Sequence, residues 1–122
     1  MEGITTYRYS EERKKWNDIK KRKKVFDENN YTCEGCFEKK KYQDLVIEHD
    51  YPCVLGGKNV KILCKKCHNP KTTFDINMIT LFKKMEFICL DSYETTFFIP
   101  ENELKDLYYT LRRCKFKLKQ DY

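Results

Sequence analysis

Apolar positions recur along this chain with two periods, one helical and one extended, and together they mark out a string of short elements. Trp16, Ile19 and Phe26 stand at offsets of 0, 3 and 10, close together on one helical face. Ser10 reads as the N-cap, Glu11 and Glu12 fill a first turn where the helix dipole favours acid, and Asn29-Asn30 ends the element. The spacing predicts one helix over about 10–28. Leu45-Val46-Ile47 and Val60-Lys61-Ile62-Leu63 are short β-branched runs that predict two strands, with a Gly56-Gly57 loop between them. From about Cys67 the period is helical again, with Phe74, Met78 and Phe82 at i, i+4 and i+8. Residues 87–90 and 95–99 predict a hairpin around Asp91-Ser92, and Pro100 opens a last helix. That helix carries an apolar stripe of Leu104, Leu107, Tyr108, Leu111 and Cys114. Residues 1–9 have no strong pattern, and no repeat or linker divides the chain. The expectation is one small α+β domain over 1–122, with a core region at about 31–72 and a C-terminal hairpin and helix at about 86–116.

Composition adds a surface to this outline. Charged residues are 36% of the chain, yet 15% aromatics argue against disorder. Lys and Arg number 25 against 19 Asp and Glu, a formal charge of +6. The surplus is at the ends: residues 1–24 hold nine basic and four acidic side chains, and 112–122 hold five and one. The middle is mildly acidic. No apolar run approaches the roughly 18–20 residues of a membrane span, and the first residues have no signal-peptide core. An intracellular setting is expected, cytoplasmic or nuclear. The abundance of Lys, Ile, Asn and Tyr suggests an AT-rich genome such as that of a virus or phage.

The seven cysteines point to metal rather than disulfides. Cys33-x-x-Cys36 and Cys64-x-x-Cys67 are two knuckles 27 residues apart, and each bends the backbone so that two thiolates converge. Four thiolates make a closed tetrahedral zinc site, which is structural because it leaves no position for water. The plain alternative is four unrelated buried cysteines or two disulfides. The spacer exceeds the roughly 15–20 residues of a simple ribbon, so something is built inside it. Cys53, Cys89 and Cys114 are left over and read as small buried hydrophobes.

Both histidines of the chain fall in this loop and its exit. The residues run Ile47-Glu48-His49-Asp50-Tyr51-Pro52, then Gly56-Gly57-Lys58-Asn59, then Cys64-Lys65-Lys66-Cys67-His68-Asn69-Pro70-Lys71. Singly, each histidine has a bland structural explanation. Together, the acid-His pair at a strand end, the Gly-Gly loop, the Asn and the Cys-x-x-Cys-His resemble the HNH nuclease family, whose fold is the ββα-metal motif. The resemblance covers roughly residues 31 to 72 and takes its three letters from His49, Asn59 and His68.

The resemblance implies metal-dependent endonucleolytic cleavage of DNA, leaving a 5′-phosphate and a 3′-hydroxyl. It makes His49 the general base on water, a task suited to a neutral imidazole. It gives Glu48 and His68 one divalent cation, Mg2+ or Mn2+, acting as Lewis acid at the phosphate. It gives Asn59 the task of fixing the loop and orienting His49. Lys71, about one turn beyond His68, would steady a phosphate. Strand alternation points Glu48 and His49 to opposite faces, so one site for both requires the strand to end or bulge there. Pro70 requires the helix bearing His68 to start late or to kink.

The run Lys20-Lys21-Arg22-Lys23-Lys24 invites three readings: contact with duplex DNA phosphates, a nuclear localisation signal, or a solvated helical face. The cluster over 112–119 would embrace the duplex from the other side or simply solvate a chain end. The aromatics of the C-terminal part (Phe87, Tyr93, Phe97, Phe98, Tyr108, Tyr109) read as core rather than as a base-stacking platform. One active site per chain cuts both strands only as a homodimer or by two successive nicks. Two rival functions stand beside the DNA nuclease: a catalytically silent, zinc-stapled DNA-binding module, and an RNA-directed nuclease.

Overall fold

A computed structural model describes residues 4–120, with side chains as far as Lys115. Glu2 and Asp121 of the charged ends lie outside the described residues, as do the side chains of Lys117 and Lys119. The chain runs β1 (Thr5–Arg8), α1 (Ser10–Lys15), α2 (Ile19–Glu28), β2 (Leu45–His49), β3 (Val60–Cys64), α3 (Lys65–Lys84), β4 (Ile88–Leu90), β5 (Glu94–Phe97) and α4 (Glu101–Gln120). It is a small α+β domain with two antiparallel sheets, one of β2 and β3 and one in the order β1-β5-β4. Among the described residues no helix is long and apolar enough to cross a membrane.

Two apolar clusters hold it together. The larger one joins Phe74 and Phe82 of α3, Leu104 and Tyr108 of α4, and Ile88 and Phe97 of the three-stranded sheet. The smaller one joins Phe26 of α2 to Leu45, Ile62 and Leu63 of the β2–β3 hairpin, with Cys33 and Cys64 among them. The expected stripes on α3 and α4 are therefore the faces that meet. Cys114, the last position of the expected α4 stripe, is exposed, and Cys89 is exposed on the edge strand β4. Their expected role as buried packing is corrected by that exposure, while Cys53 is half-buried. Two of the expected core aromatics are also outside: Tyr93, 60% exposed, sits in the β4–β5 turn, and Phe98, 45% exposed, follows the end of β5.

The N-terminal region differs most from expectation. The single helix over 10–28 is two helices, because Asp18 starts a new one: its carboxylate accepts from the Lys20 N–H at 2.9 Å, and its carbonyl accepts from Arg22 N at 3.1 Å. Trp16 closes α1, and Tyr9 rather than Ser10 is its N-cap residue. Before it, β1 pairs along β5 from Thr5↔Phe97 to Arg8↔Glu94. Three of its four residues are exposed, so this edge strand leaves no alternating apolar signature.

The β2–β3 hairpin and α3 position the residues of interest. Register runs from Leu45↔Cys64 to His49↔Val60, and Asp50 N donates to Asn59 O at 3.0 Å one step further on. The strand ends at His49, as the placement of Glu48 and His49 required. The connection is tight at Gly57, where a Cβ would fall 1.8 Å from the Tyr51 carbonyl oxygen, so no other residue fits. Helix α3 starts directly at Lys65, with Cys64 as N-cap residue, and runs through Pro70. Of the two consequences expected of Pro70, a late start or a kink, the late start is thus corrected. Pro70 removes only the N–H that would reach the carbonyl of Lys66, an exposed residue where water can replace it.

Candidate metal centre and active-site cleft

Cys33 and Cys36 come from the turn after α2, and Cys64 and Cys67 from the β3–α3 junction. Their four Sγ atoms all lie within 4.8 Å of one another. Cys36 Sγ and Cys64 Sγ are 3.9 Å apart, close to the roughly 3.8 Å edge of a tetrahedron with zinc–sulfur bonds of about 2.3 Å. Burial alone pushes the Cys33 thiol up, but main-chain N–H groups of Cys64, Cys36 and Gly35 outweigh it and bring it down to about 6. Those groups lie 3.2, 3.5 and 3.3 Å from its sulfur. Burial, then the neighbouring sulfurs, push Cys67 up to about 12. Four such thiolates repel one another, and a soft divalent cation such as zinc removes that repulsion. Gly35 permits the approach: a Cβ there would lie 2.9 Å from both Cβ and Sγ of Cys67. The four cysteines can hold a structural metal such as zinc.

A cleft of about 560 Å³ opens beside the hairpin and is lined by Glu48, His49 and His68 together with Arg13, Trp16 and Arg22. Glu48 Oε2 meets His68 Nε2 at 2.6 Å, and Thr72 Oγ1 lies 3.0 Å from the same nitrogen. His49 Nε2 meets Glu12 Oε1 of α1 at 3.0 Å. The two adjacent strand residues thus reach the cleft from its two sides, Glu48 against α3 and His49 against α1. A six-coordinate divalent ion with bonds of about 2.1 Å holds neighbouring donors about 3 Å apart. The carboxylate and imidazole of Glu48 and His68 need only a small separation to serve it. They are two candidate donors, and an ion would replace the hydrogen bond between them.

The Asn59 side chain is exposed, and among the described residues it makes no hydrogen bond to His49. Its contribution is the main-chain carbonyl that accepts from Asp50 N. Lys71 is not on the surface: it is 4% exposed. Its Nζ donates to His49 O at 2.7 Å and to Asp75 Oδ2 at 2.6 Å, and lies 3.7 Å from Glu48 Oε1. In this structure Lys71 is a strut from α3 to the strand end. The strut continues: Tyr108 OH donates to Asp75 Oδ1 at 2.5 Å, and burial followed by that bond raises the Tyr108 phenol well above its usual range.

Asp50, next to His49, is tied down by three side chains from two elements, β3 and α4. It receives Lys61 at 2.9 Å, Tyr109 OH at 2.5 Å and Arg112 Nη1 at 3.1 Å. Burial opposes its ionisation, but Lys61, Tyr109 and Arg112 outweigh it and hold the carboxyl far below the usual range. Of the basic run, Arg22 lines the cleft while Lys20, Lys21, Lys23 and Lys24 are exposed on α2. Sequence reasoning missed Arg13 and Trp16 as residues of the cleft, and Glu12 as the partner of His49. The Trp16 indole N–H is buried without a partner there. Compared with protein families, curated proteins and solved structures, the chain matches none.

Proposed function

We propose that this protein is a divalent-metal-dependent endonuclease that hydrolyses phosphodiester bonds in DNA by nicking or double-strand cleavage, within the HNH family that its residues resemble. The observation that carries the reading is the meeting of Glu48 and His68 at 2.6 Å, with His49 next in the chain, in one cleft. A two-stranded antiparallel sheet running straight into a helix supports it, with the acid-His pair at a strand end and His68 in the helix's first turns. Arg13 and Arg22 at the same cleft give cationic groups for phosphate.

In this mechanism His49 takes a proton from water, whose oxygen attacks phosphorus as the bond to the 3′-oxygen breaks. Glu48 and His68 would hold the divalent cation, which would supply Lewis acidity to the reaction. Lys71 holds the His49 main chain, and Asp50, clamped by Lys61 and Arg112, fixes the strand beyond it. A metal held by the four cysteines would keep the start of α3, and with it His68, beside the hairpin.

The test is cleavage of supercoiled plasmid with added Mg2+ or Mn2+. His49→Ala is expected to lower the rate by about 10²–10⁴-fold while zinc content and fold are unchanged. A variant that cuts as fast as the parent refutes the assignment. The exposed lysines of α2 favour a second reading, a zinc-stapled module that binds duplex DNA without cutting it. Binding without cleavage under every divalent cation would establish that one. Parallel incubation with duplex DNA, single-stranded DNA and structured RNA separates DNA from RNA as substrate.

A further inference from the structure

Resting on that reading, we infer that Glu12 is the positioning residue for His49: it holds Nε2, and so makes Nδ1 the nitrogen that takes the proton from water. A general base of this kind needs one ring nitrogen held and the other free. The residue assigned that holding task by the resemblance, Asn59, has an exposed side chain and contributes only its carbonyl to Asp50 N. The partner on the ring is Glu12, whose Oε1 lies 3.0 Å from Nε2. Both side chains are largely shielded, 15% exposed for His49 and 12% for Glu12.

The tautomer follows from donor and acceptor rules. A carboxylate can only accept, so the nitrogen facing it carries the hydrogen. A neutral imidazole has one N–H, and that leaves the lone pair on Nδ1. In the step itself an O–H bond of water breaks and the proton goes to Nδ1. The water oxygen bonds to phosphorus as the P–O3′ bond breaks, and the departing oxygen keeps the electron pair and is protonated by solvent. The imidazolium so formed lies against the Glu12 carboxylate, which stabilises its charge where water is scarce.

The placement of Glu12 is secured by structure outside the resemblance. It is in the first turn of α1, directly after β1. Strand β1 is paired to β5, and the buried Tyr9 between them donates its hydroxyl to Asp91 O and its N–H to Tyr93 O at 3.0 Å. Arg13, the next residue after Glu12, packs over the Tyr9 ring at 4.7 Å and lines the cleft. Helix α1, anchored through Tyr9 and β1, is thus a wall of the site rather than an appendage to it.

The experiment combines Glu12→Ala and Glu12→Gln in the zinc-loaded full chain with two readouts. One is the pair of ring-nitrogen chemical shifts of His49, read by NMR where the ring is neutral, which distinguishes the two tautomers. The other is plasmid cleavage resolved into kcat, KM and the Mg2+ concentration for half-activity. The parent is expected to show hydrogen on Nε2. Glu12→Ala is expected to lose that preference and about 10–100-fold in kcat, with KM, Mg2+ requirement and zinc content unchanged. Glu12→Gln keeps an acceptor and is expected to retain the tautomer and most of the lost rate. Hydrogen on Nδ1 in the parent, or an unchanged tautomer in Glu12→Ala, overturns the inference. So does a loss that appears as a raised Mg2+ requirement, since Glu12 would then be a metal ligand. A parent that fails to cut under every divalent cation tested refutes the nuclease reading instead, and the nitrogen shifts still decide whether Glu12 holds the ring.

Discussion

Lys71→Met removes an ammonium and keeps most of the side chain's volume and apolar stem, so it isolates the charge. Lys71 is 4% exposed and Asp75 8%, and their contact at 2.6 Å is the centre of a chain that joins His49 O to Tyr108. Removing one member of a buried ion pair costs about 3–5 kcal/mol, because the other charge is left without compensation. Here the Tyr108 hydroxyl still donates to Asp75, so the lower end of that range applies. The orphaned His49 carbonyl adds a desolvation cost of its own, about 1–3 kcal/mol where water cannot reach it. Since both losses share one ammonium they do not simply add, and about 3–4 kcal/mol is the expected total. That is a large part of the 5–15 kcal/mol of a typical domain. Urea unfolding of zinc-saturated protein measures it, and a cycle with Asp75→Asn should give a coupling of about 1–3 kcal/mol between the two positions. A Lys71→Met stability within about 1 kcal/mol of the parent, with no coupling, refutes the buried strut. The lysine would then be free for the phosphate contact expected from its spacing.

Two further outcomes follow from the metal centre and from Asp50. Removing zinc with a chelator, or replacing Cys33 by Ser, should unfold the region around the hairpin and abolish cleavage and DNA binding together, since structural zinc in small domains contributes on the order of 10 kcal/mol; circular dichroism and metal analysis check this. Asp50 has its carboxyl lowered in the folded state, so its contribution is complete above the ordinary value of 3.8 and is lost as pH falls further. The urea midpoint of the parent should therefore fall more steeply below that pH than that of Asp50→Asn, with zinc release common to both.

The parts of this fold that sequence reveals are those encoded by neighbours in the chain. The two knuckles bring their sulfurs together because each is a local turn, and the α3 and α4 stripes meet because each is a periodic face. Strand β1 is hidden because only its hydrogen bonds to β5 make it a strand. The break at Asp18 was present as an N-cap residue inside a basic run but was masked by the helical spacing of Trp16, Ile19 and Phe26. The site was legible to the same extent. Glu48, His49 and His68 line one cleft, whereas the residues that hold the strand end come from far away: Glu12 is 37 positions from His49, and Arg112 is 62 from Asp50. Nothing local to Glu12 distinguishes it from Glu11, because the selection is made by how α1 docks.

Lys71 lies between these cases, since its role follows from spacing once the β2–β3–α3 order is accepted. Helix α3 leaves β3 at Cys64, opposite Leu45 at the start of β2, and packs back against both strands. Seven helical residues from Cys64 to Lys71 rise about 10 Å, and four strand residues from Leu45 to His49 rise about 14 Å. A lysine side chain covers the difference, so Lys71 has to meet the end of β2 where His49 and Glu48 stand. Asp75, one turn further, then has to compensate it, and the pair takes two places on the face that Met78 and Phe82 continue into the core. Charge on an apolar face four residues apart is thus the sequence signature of a strut. Its dependence on helical rise explains why a metal at the first turn of α3 and the strut at the second would act together: the metal would set where the helix starts, and the lysine sets how it lies against the strand that carries the proposed base.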